Sequence, residues 1–154
     1  MRRRDFINGI AGSAAWTLVA RAQDRIQHIG VLMNFAANDT AQVARFAKFQ
    51  EALEALGWVE GRNIHVETRW PHGDIDQVRK DIAELVALSP DVIVVTTTPA
   101  LTILERATKT VPIVFVSIVD PVGSRLVATM SRPGGNTTGF VAFEYALAAK
   151  CSNC

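Results

Sequence analysis

Neither sign of charge dominates this chain. Sixteen Lys and Arg stand against fifteen Asp and Glu, for a formal net charge of +1, so there is no broad field to hold a nucleic acid and none is expected as a partner. Long apolar runs are missing too. The stretch from Gly9 to Ala20 is shorter than the roughly 20 residues needed to cross a bilayer, and Gly9, Gly12 and Ser13 weaken it further, so no permanent membrane anchor is expected. No G-x-G-x-x-G follows the first apolar run, and there is neither a G-x-x-x-x-G-K-[ST] phosphate loop nor a G-x-S-x-G elbow. Those absences count against an enzyme, and no catalytic residue or cofactor is assigned. His28, His65 and His72 lack the i, i+4 spacing and the Cys partners of a zinc site, so no metal is assigned and they read as packing or surface residues. Cysteine occurs only as Cys151 and Cys154. Their C-x-x-C spacing suits a redox pair or half a zinc site, but such a pair sits where a strand feeds a helix, and here it occupies a frayed or artificial tail.

What is present begins with an export signal. Arg2, Arg3 and Arg4 precede Phe6 and Ile7, the short apolar stretch follows, and Ala20-Arg21-Ala22 offers small residues to a signal peptidase. Cleavage is expected before Gln23, giving a signal peptide over residues 1–22 and a periplasmic protein. Arg3-Arg4-Asp5-Phe6-Ile7 is similar to the twin-arginine export motif, whose route accepts signals of low hydrophobicity.

The chain of 154 residues has room for one ordinary domain, and its 49% hydrophobic content can fill a core. From Ile26 onward, short apolar runs alternate with helical patterns. Strands are expected over Ile26 to Met33, Asn63 to Arg69, Asp91 to Thr96 and Ile113 to Ser117, with a weaker fifth around Thr138 to Phe143. The first helix is expected over Thr40 to Leu56, with Asp39 as N-cap, Gln42 returning a bond to the cap, Gly57 as stop, and Val43, Phe46, Phe49 or Gln50, Leu53 and Leu56 as its buried stripe. The second is capped by Asp74 with Gln77 as partner, buries Ile75, Val78, Ile82, Leu85 and Val86, and ends at Pro90. Two more are expected to open at Thr98-Pro99 and Asp120-Pro121, where a capping side chain precedes a proline. Such β-α-β units give an α/β, doubly wound, mainly parallel Rossmann-like sheet of order 2-1-3-4-5, with helices on both faces.

Ligands of open α/β sheets sit beyond the carboxyl ends of the strands, near the point where strand order reverses. Three segments rich in small residues meet there: Asn34 to Asp39, Thr96 to Ala100 and Ser117 to Asp120. The helix starts at Thr98 and Asp120 offer unpaired N–H groups to a carboxylate, and the Asp120 carboxylate offers itself to an ammonium, a combination suited to an amino acid. Both residues also serve simply as helix caps in most settings.

The run Ser131-Arg132-Pro133-Gly134-Gly135-Asn136-Thr137-Thr138-Gly139-Phe140 resembles the R-P-G-G-N-x-T-G motif of the ABC transporter substrate-binding family that includes tryptophan and tyrosine binders. Ile29-Gly30-Val31-Leu32, Leu56-Gly57-Trp58-Val59-Glu60-Gly61, Thr97-Thr98-Pro99-Ala100 and Asp120-Pro121-Val122 resemble that family in the same order, over most of residues 26 to 145. The resemblance implies one lobe of a two-lobed clamp that encloses a small organic solute such as an amino acid and delivers it to an ABC permease in the inner membrane. Carried onto this sequence, the ligand-binding positions are Asn34, Thr97, Thr98, Pro99, Ala100, Ser117 and Asp120. The expected organisation is a signal peptide over 1–22, an N-terminal lobe over 23–145, and an atypical tail over 146–154 that reads as a truncation or frameshift, leaving the clamp incomplete. The rival readings are a flavodoxin-like enzyme, which needs a phosphate-binding loop where Phe35-Ala36-Ala37-Asn38 stands, and a sensory or partner-binding module.

Overall fold

A computed structural model of the chain describes residues 25–33 and 38–141. The expected signal peptide, the candidate Asn34 and the tail with Cys151 and Cys154 lie outside the described residues. The described elements follow in the order β1 (Gln27–Leu32), α1 (Thr40–Ala55), β2 (Ile64–Arg69), α2 (Ile75–Ala87), β3 (Val92–Val95), α3 (Thr98–Ala107), β4 (Ile113–Ile118) and β5 (Thr137–Val141). All neighbouring strands pair in parallel, in the order β2-β1-β3-β4-β5. The chain therefore reverses direction across the sheet between β1 and β3, as the alternation of apolar runs and helical patterns requires.

Local signals explain the helix ends. The Asp39 carboxylate accepts from the N–H groups of Ala41 and Gln42 at the start of α1, and Asp74 accepts from Asp76 and Gln77 at the start of α2. At the far end of α1, Trp58 N–H donates to Leu53 and Gly57 N–H to Glu54, the paired bonds of a Schellman stop. The expected return bond from Gln77 to its cap does not form. Its amide donates forward to Asp81 instead, at 2.7 Å, and keeps a buried carboxylate paired.

Two of the expected helix starts need correction. The third helix opens one residue earlier than Thr98-Pro99 implied: Thr97 is the N-cap and Pro99 sits one place further inside. No helix follows Asp120-Pro121. The chain there makes a series of turns, because Asp120 has φ +45° where an N-cap needs extended backbone, and Arg125 at φ +57° interrupts any continuing turn.

The two faces of the sheet are filled unequally. On one face, Leu32, Ile93, Val95, Ile113 and Phe115 pack against Val78, Ile82 and Leu85 of α2 and against Ala100, Leu101 and Leu104 of α3, and all are almost fully buried. Val127, with Leu126 and Met130, closes that core from the turns before β5. Among the described residues, the other face carries only α1. Its inward stripe is Gln42, Phe46, Phe49 and Leu53, whereas Val43 and Leu56, expected inside, are exposed. The stripe is turned by one position because the i, i+4, i+7 set beginning at Gln42 is the one that meets β1 and β3. Val94, Val114 and Val116 on this face are only half-buried.

His28 and His65 lie side by side in the β1–β2 register, 5.6 Å apart edge to face, and His65 Nδ1 is 2.8 Å from a Glu60 oxygen. Arg69 bonds Glu67 and holds its carboxyl below the usual carboxylate range, with His65 adding to the effect. Among the described residues, no group of three or more metal-ligating side chains occurs.

Candidate functional site

The carboxyl ends of β3 and β4 stand side by side, since Val95 pairs with Phe115. The segments that leave them, Thr96 to Ala100 and Ser117 to Asp120, therefore form one crest. Of the ligand positions expected from sequence, Thr97, Thr98, Pro99, Ala100, Ser117 and Asp120 all fall on it.

Backbone conformation sets Ser117 apart. The β4–β5 register slips between Val116 and Ile118, so Ser117 is the extra residue of a bulge, with φ +62°. A bulge re-aims the side chain it carries, and this one leaves the Ser117 hydroxyl exposed at the rim. Left-handed backbone in a non-glycine residue costs energy and is retained where neighbouring structure enforces it, often at ligand sites. Asp120, three residues on, is also left-handed. One carboxylate oxygen accepts from Gly123 N–H at 2.8 Å, and the Asp120 carbonyl accepts from Ser124 N–H at 3.0 Å. A Cβ on Gly123 would fall 2.1 Å from the other oxygen, so a residue without a side chain is what lets the carboxylate lie against the turn. Asp120 is thus held by a turn of its own and not by a helix.

The three threonines before Pro99 differ in role. Thr96 reaches back across the sheet, its hydroxyl donating to the Leu32 carbonyl at 3.4 Å. Thr97 makes no side-chain capping bond, and its hydroxyl oxygen is buried without a hydrogen-bond partner among the described residues. Thr98 is half-buried in the first turn of α3. Because Thr97 does not cap, the N–H groups of Thr98 and Ala100 stay unclaimed by it at the positive end of the helix. Ala100 buries its methyl completely in the core, which leaves only its backbone to face a ligand.

A cavity of about 350 Å³ lies beside the crest, between α1 and the upper halves of β1, β3 and β4. Its walls are mainly apolar, from Val31, Met33, Phe46, Phe49, Val94 and Val116, with Gln42, Arg45, Thr96 and Ser117 as polar members. Sequence reasoning assigned Phe46 and Phe49 to a buried stripe, gave Gln42 only a capping role and did not single out Arg45. The signal for them was weak, since it lay in the one-position turn of α1. Ser117 belongs to both the cavity and the crest.

The Arg132 to Asn136 part of the motif lies away from this site, whereas its last residue, Phe140, stands beside Val116. Asn136 stands at the opposite end of β5, where its amide donates to the Val111 carbonyl at 2.6 Å and the Thr108 carbonyl at 3.5 Å, with Gly134 and Gly135 left-handed before it. That motif anchors the entry of β5 to the end of α3.

Residues 28–146 match the family described as ABC transporter substrate binding protein. A tyrosine-binding protein of Clostridioides difficile (strain R20291) is 32% identical over 91 residues, which are 59% of this chain and 26% of that protein. Among solved structures, an ABC domain in complex with L-Trp from Streptococcus pneumonia superposes with a TM-score of 0.68 at 30% identity, over 75% of this chain and 38% of that one. A conserved domain protein from Vibrio cholerae O1 biovar El Tor superposes with a TM-score of 0.72 at 29% identity, over 84% of this chain and 43% of that one. The chain thus spans about a quarter of the curated relative, and about two-fifths of each of these structures. None of the described helices is long and apolar enough to cross a membrane.

Proposed function

The chain belongs to the ABC transporter substrate-binding protein family, and from that premise we propose that its crest binds a small organic solute of the amino-acid class as one half of a two-lobed clamp. The observation that carries this reading is the crest itself. A bulged, left-handed Ser117, a turn-held Asp120 and the helix start at Thr98 converge at the carboxyl ends of adjacent strands. The α3 amino terminus supplies N–H donors for a carboxylate, and Asp120 keeps an oxygen for an ammonium. The relatives that bind tyrosine and carry L-Trp support an aromatic amino acid as ligand. A lone lobe leaves most of such a ligand in water, and enclosure supplies most of a small ligand's buried surface, so affinity in the millimolar range is expected.

Two substitutions separate the roles. Asp120→Asn keeps the left-handed backbone and the acceptor for Gly123 but removes the charge. It is expected to weaken amino-acid binding by about 10- to 100-fold, the worth of a charge-assisted hydrogen bond. Ser117→Gly keeps the bulge and removes the hydroxyl, with an expected loss of about 3- to 10-fold. Calorimetry of the 154-residue chain and both variants against L-Trp, L-Tyr and the branched amino acids reads both effects. Unchanged affinity in both variants would move the site off the crest, and micromolar binding by the unmodified chain would make this lobe a complete binding module.

The same proposal places the protein in the periplasm, exported by the twin-arginine route and docking on an ABC permease of the inner membrane. Replacing both Arg3 and Arg4 by Lys is expected to hold the precursor in the cytoplasm, as followed by fractionation and immunoblotting. Mature protein reaching the periplasm at normal levels would rule that route out.

A further inference from the structure

At the amino ends of β1 and β2, away from the crest, two imidazoles and a carboxylate face one space. His28 and His65 are the second residues of their strands and partners in the parallel register. Strand register here does what i, i+4 spacing does on a helix: it sets two histidines side by side. A cavity of about 210 Å³ lies between the two rings, Glu67, and Leu85, Leu88 and Pro90 around the end of α2. Gly30, beside Glu67 in the register, lines the same cavity and has no side chain to fill it.

Both histidines are held in place by carboxylates. Asp91 grips the His28 backbone from two sides: its carboxylate accepts from His28 N–H at 2.9 Å, and its own N–H donates to the His28 carbonyl at 2.8 Å. One Glu60 oxygen lies 2.8 Å from His65 Nδ1 while the other accepts from Val66 N–H at 3.0 Å, so Glu60 is fixed as it fixes the ring. In the neutral imidazole a carboxylate at Nδ1 places the proton there and leaves the lone pair on Nε2. That nitrogen faces Glu67 Oε2 at 3.5 Å. Two acceptors so placed need a cation between them, and their spacing is that of a coordination edge. Two donor atoms each about 2.0–2.1 Å from a tetrahedral ion stand roughly 3.4 Å apart, and two imidazoles sharing such an ion have ring centres about 5–6 Å apart. The rings of His28 and His65 are 5.6 Å apart.

We propose that His28, His65 and Glu67 bind a divalent first-row transition-metal ion, with Glu60 orienting His65 from behind and water completing the coordination. As described, the three groups do not converge on one point. The exposed His28 ring turns to close on the ion, a change of rotamer that its surface position permits. Imidazole ligands select Cu(II), Ni(II) and Zn(II), whereas Mg(II) and Ca(II) take oxygen ligands, and among these ions Cu(II) binds such a set most tightly. The site is separate from the crest, since it lies at the opposite ends of the strands, and an ion there staples β2 to β1.

Calorimetry and electron paramagnetic resonance test the site in the 154-residue chain with Cys151 and Cys154 replaced by Ser, which removes the thiols as competing ligands. One Cu(II) per chain is expected to bind with a dissociation constant on the order of micromolar, more tightly than Ni(II) or Zn(II). Its spectrum is expected to carry hyperfine splitting from two imidazole nitrogens. His28→Gln and His65→Gln are each expected to weaken Cu(II) binding at least about 10-fold, and Glu60→Gln about 10-fold through the orientation of His65 alone. His28, His65 and Glu60 are all exposed, so circular dichroism is expected to show the fold unchanged in each variant. His72→Asn is the control: His72 has φ +54°, a backbone conformation that asparagine accepts, and no loss of affinity is expected there. No uptake of Cu(II) at about 100 µM, equal affinity in the parent and both histidine variants, or a loss in His72→Asn as large as theirs overturns the assignment.

Discussion

Phe115→Ala is expected to cost about 3–5 kcal/mol of folding stability, a large share of the roughly 5–15 kcal/mol that holds a domain together. Phe115 is fully buried at the middle of β4, inside the core that α2 and α3 close. Removing its ring leaves a void that the strand cannot collapse to fill. Phe140, 72% exposed on the neighbouring edge strand of the same sheet, supplies the internal control. Phe140→Ala is expected to change stability by no more than about 0.5 kcal/mol. Urea unfolding followed by circular dichroism reads both. Equal costs for the two phenylalanines would contradict the assignment of one face as packed core and the other as open.

Gly139→Ala is the other large effect, and its cause is backbone contact. A Cβ on Gly139 would lie 2.0 Å from the Phe115 carbonyl oxygen and 2.6 Å from the first ring carbon. To admit it, β5 must move away from β4 at the centre of their pairing. Overpacking of this kind costs about 1–3 kcal/mol, and more where the obstacle is main chain. Because the nearest atom is the carbonyl, shrinking the side chain gives little relief. In a Phe115→Leu background the Gly139→Ala penalty is therefore expected to persist, as a double-mutant cycle in urea would show. Full rescue by Phe115→Leu would mean that the ring, and not the backbone, enforces glycine there.

The fold was legible because its signals are local. Asp39 and Asp74 cap the helices their positions announced, and the apolar runs became five strands in the order 2-1-3-4-5. What escaped the sequence depends on backbone geometry that residue types do not determine. Asp120 before Pro121 has the composition of a helix start, yet its left-handed φ makes it the corner of a turn. Val43 and Leu56 fit a helical period as well as Gln42 does, and only the seating of α1 on β1 and β3 decides between them. The crest positions were chosen from the general rule for open sheets and from family resemblance, and all those described lie at the strand ends. The bulge at Ser117, which gives the rim its shape, has no sequence mark. The open cavity along α1 was likewise invisible, because an apolar stripe reads the same whether it is fully covered or half-covered.

The place where an amino acid meets this lobe is the central question, and backbone amide shifts of the ¹⁵N-labelled chain during titration with L-Trp and L-Tyr locate that contact most directly. Binding at the crest is expected to move the resonances of residues 96–98, 100, 117–120 and 122–124, with Thr98 and Ala100 N–H shifted furthest as their donors meet the carboxylate. The Asp120→Asn variant is expected to lose those shifts at the same ligand concentration. Perturbations confined to Arg45, Phe46 and Phe49 in the cavity beside α1, or no perturbation at ligand concentrations of about 10 mM, would contradict binding at the crest.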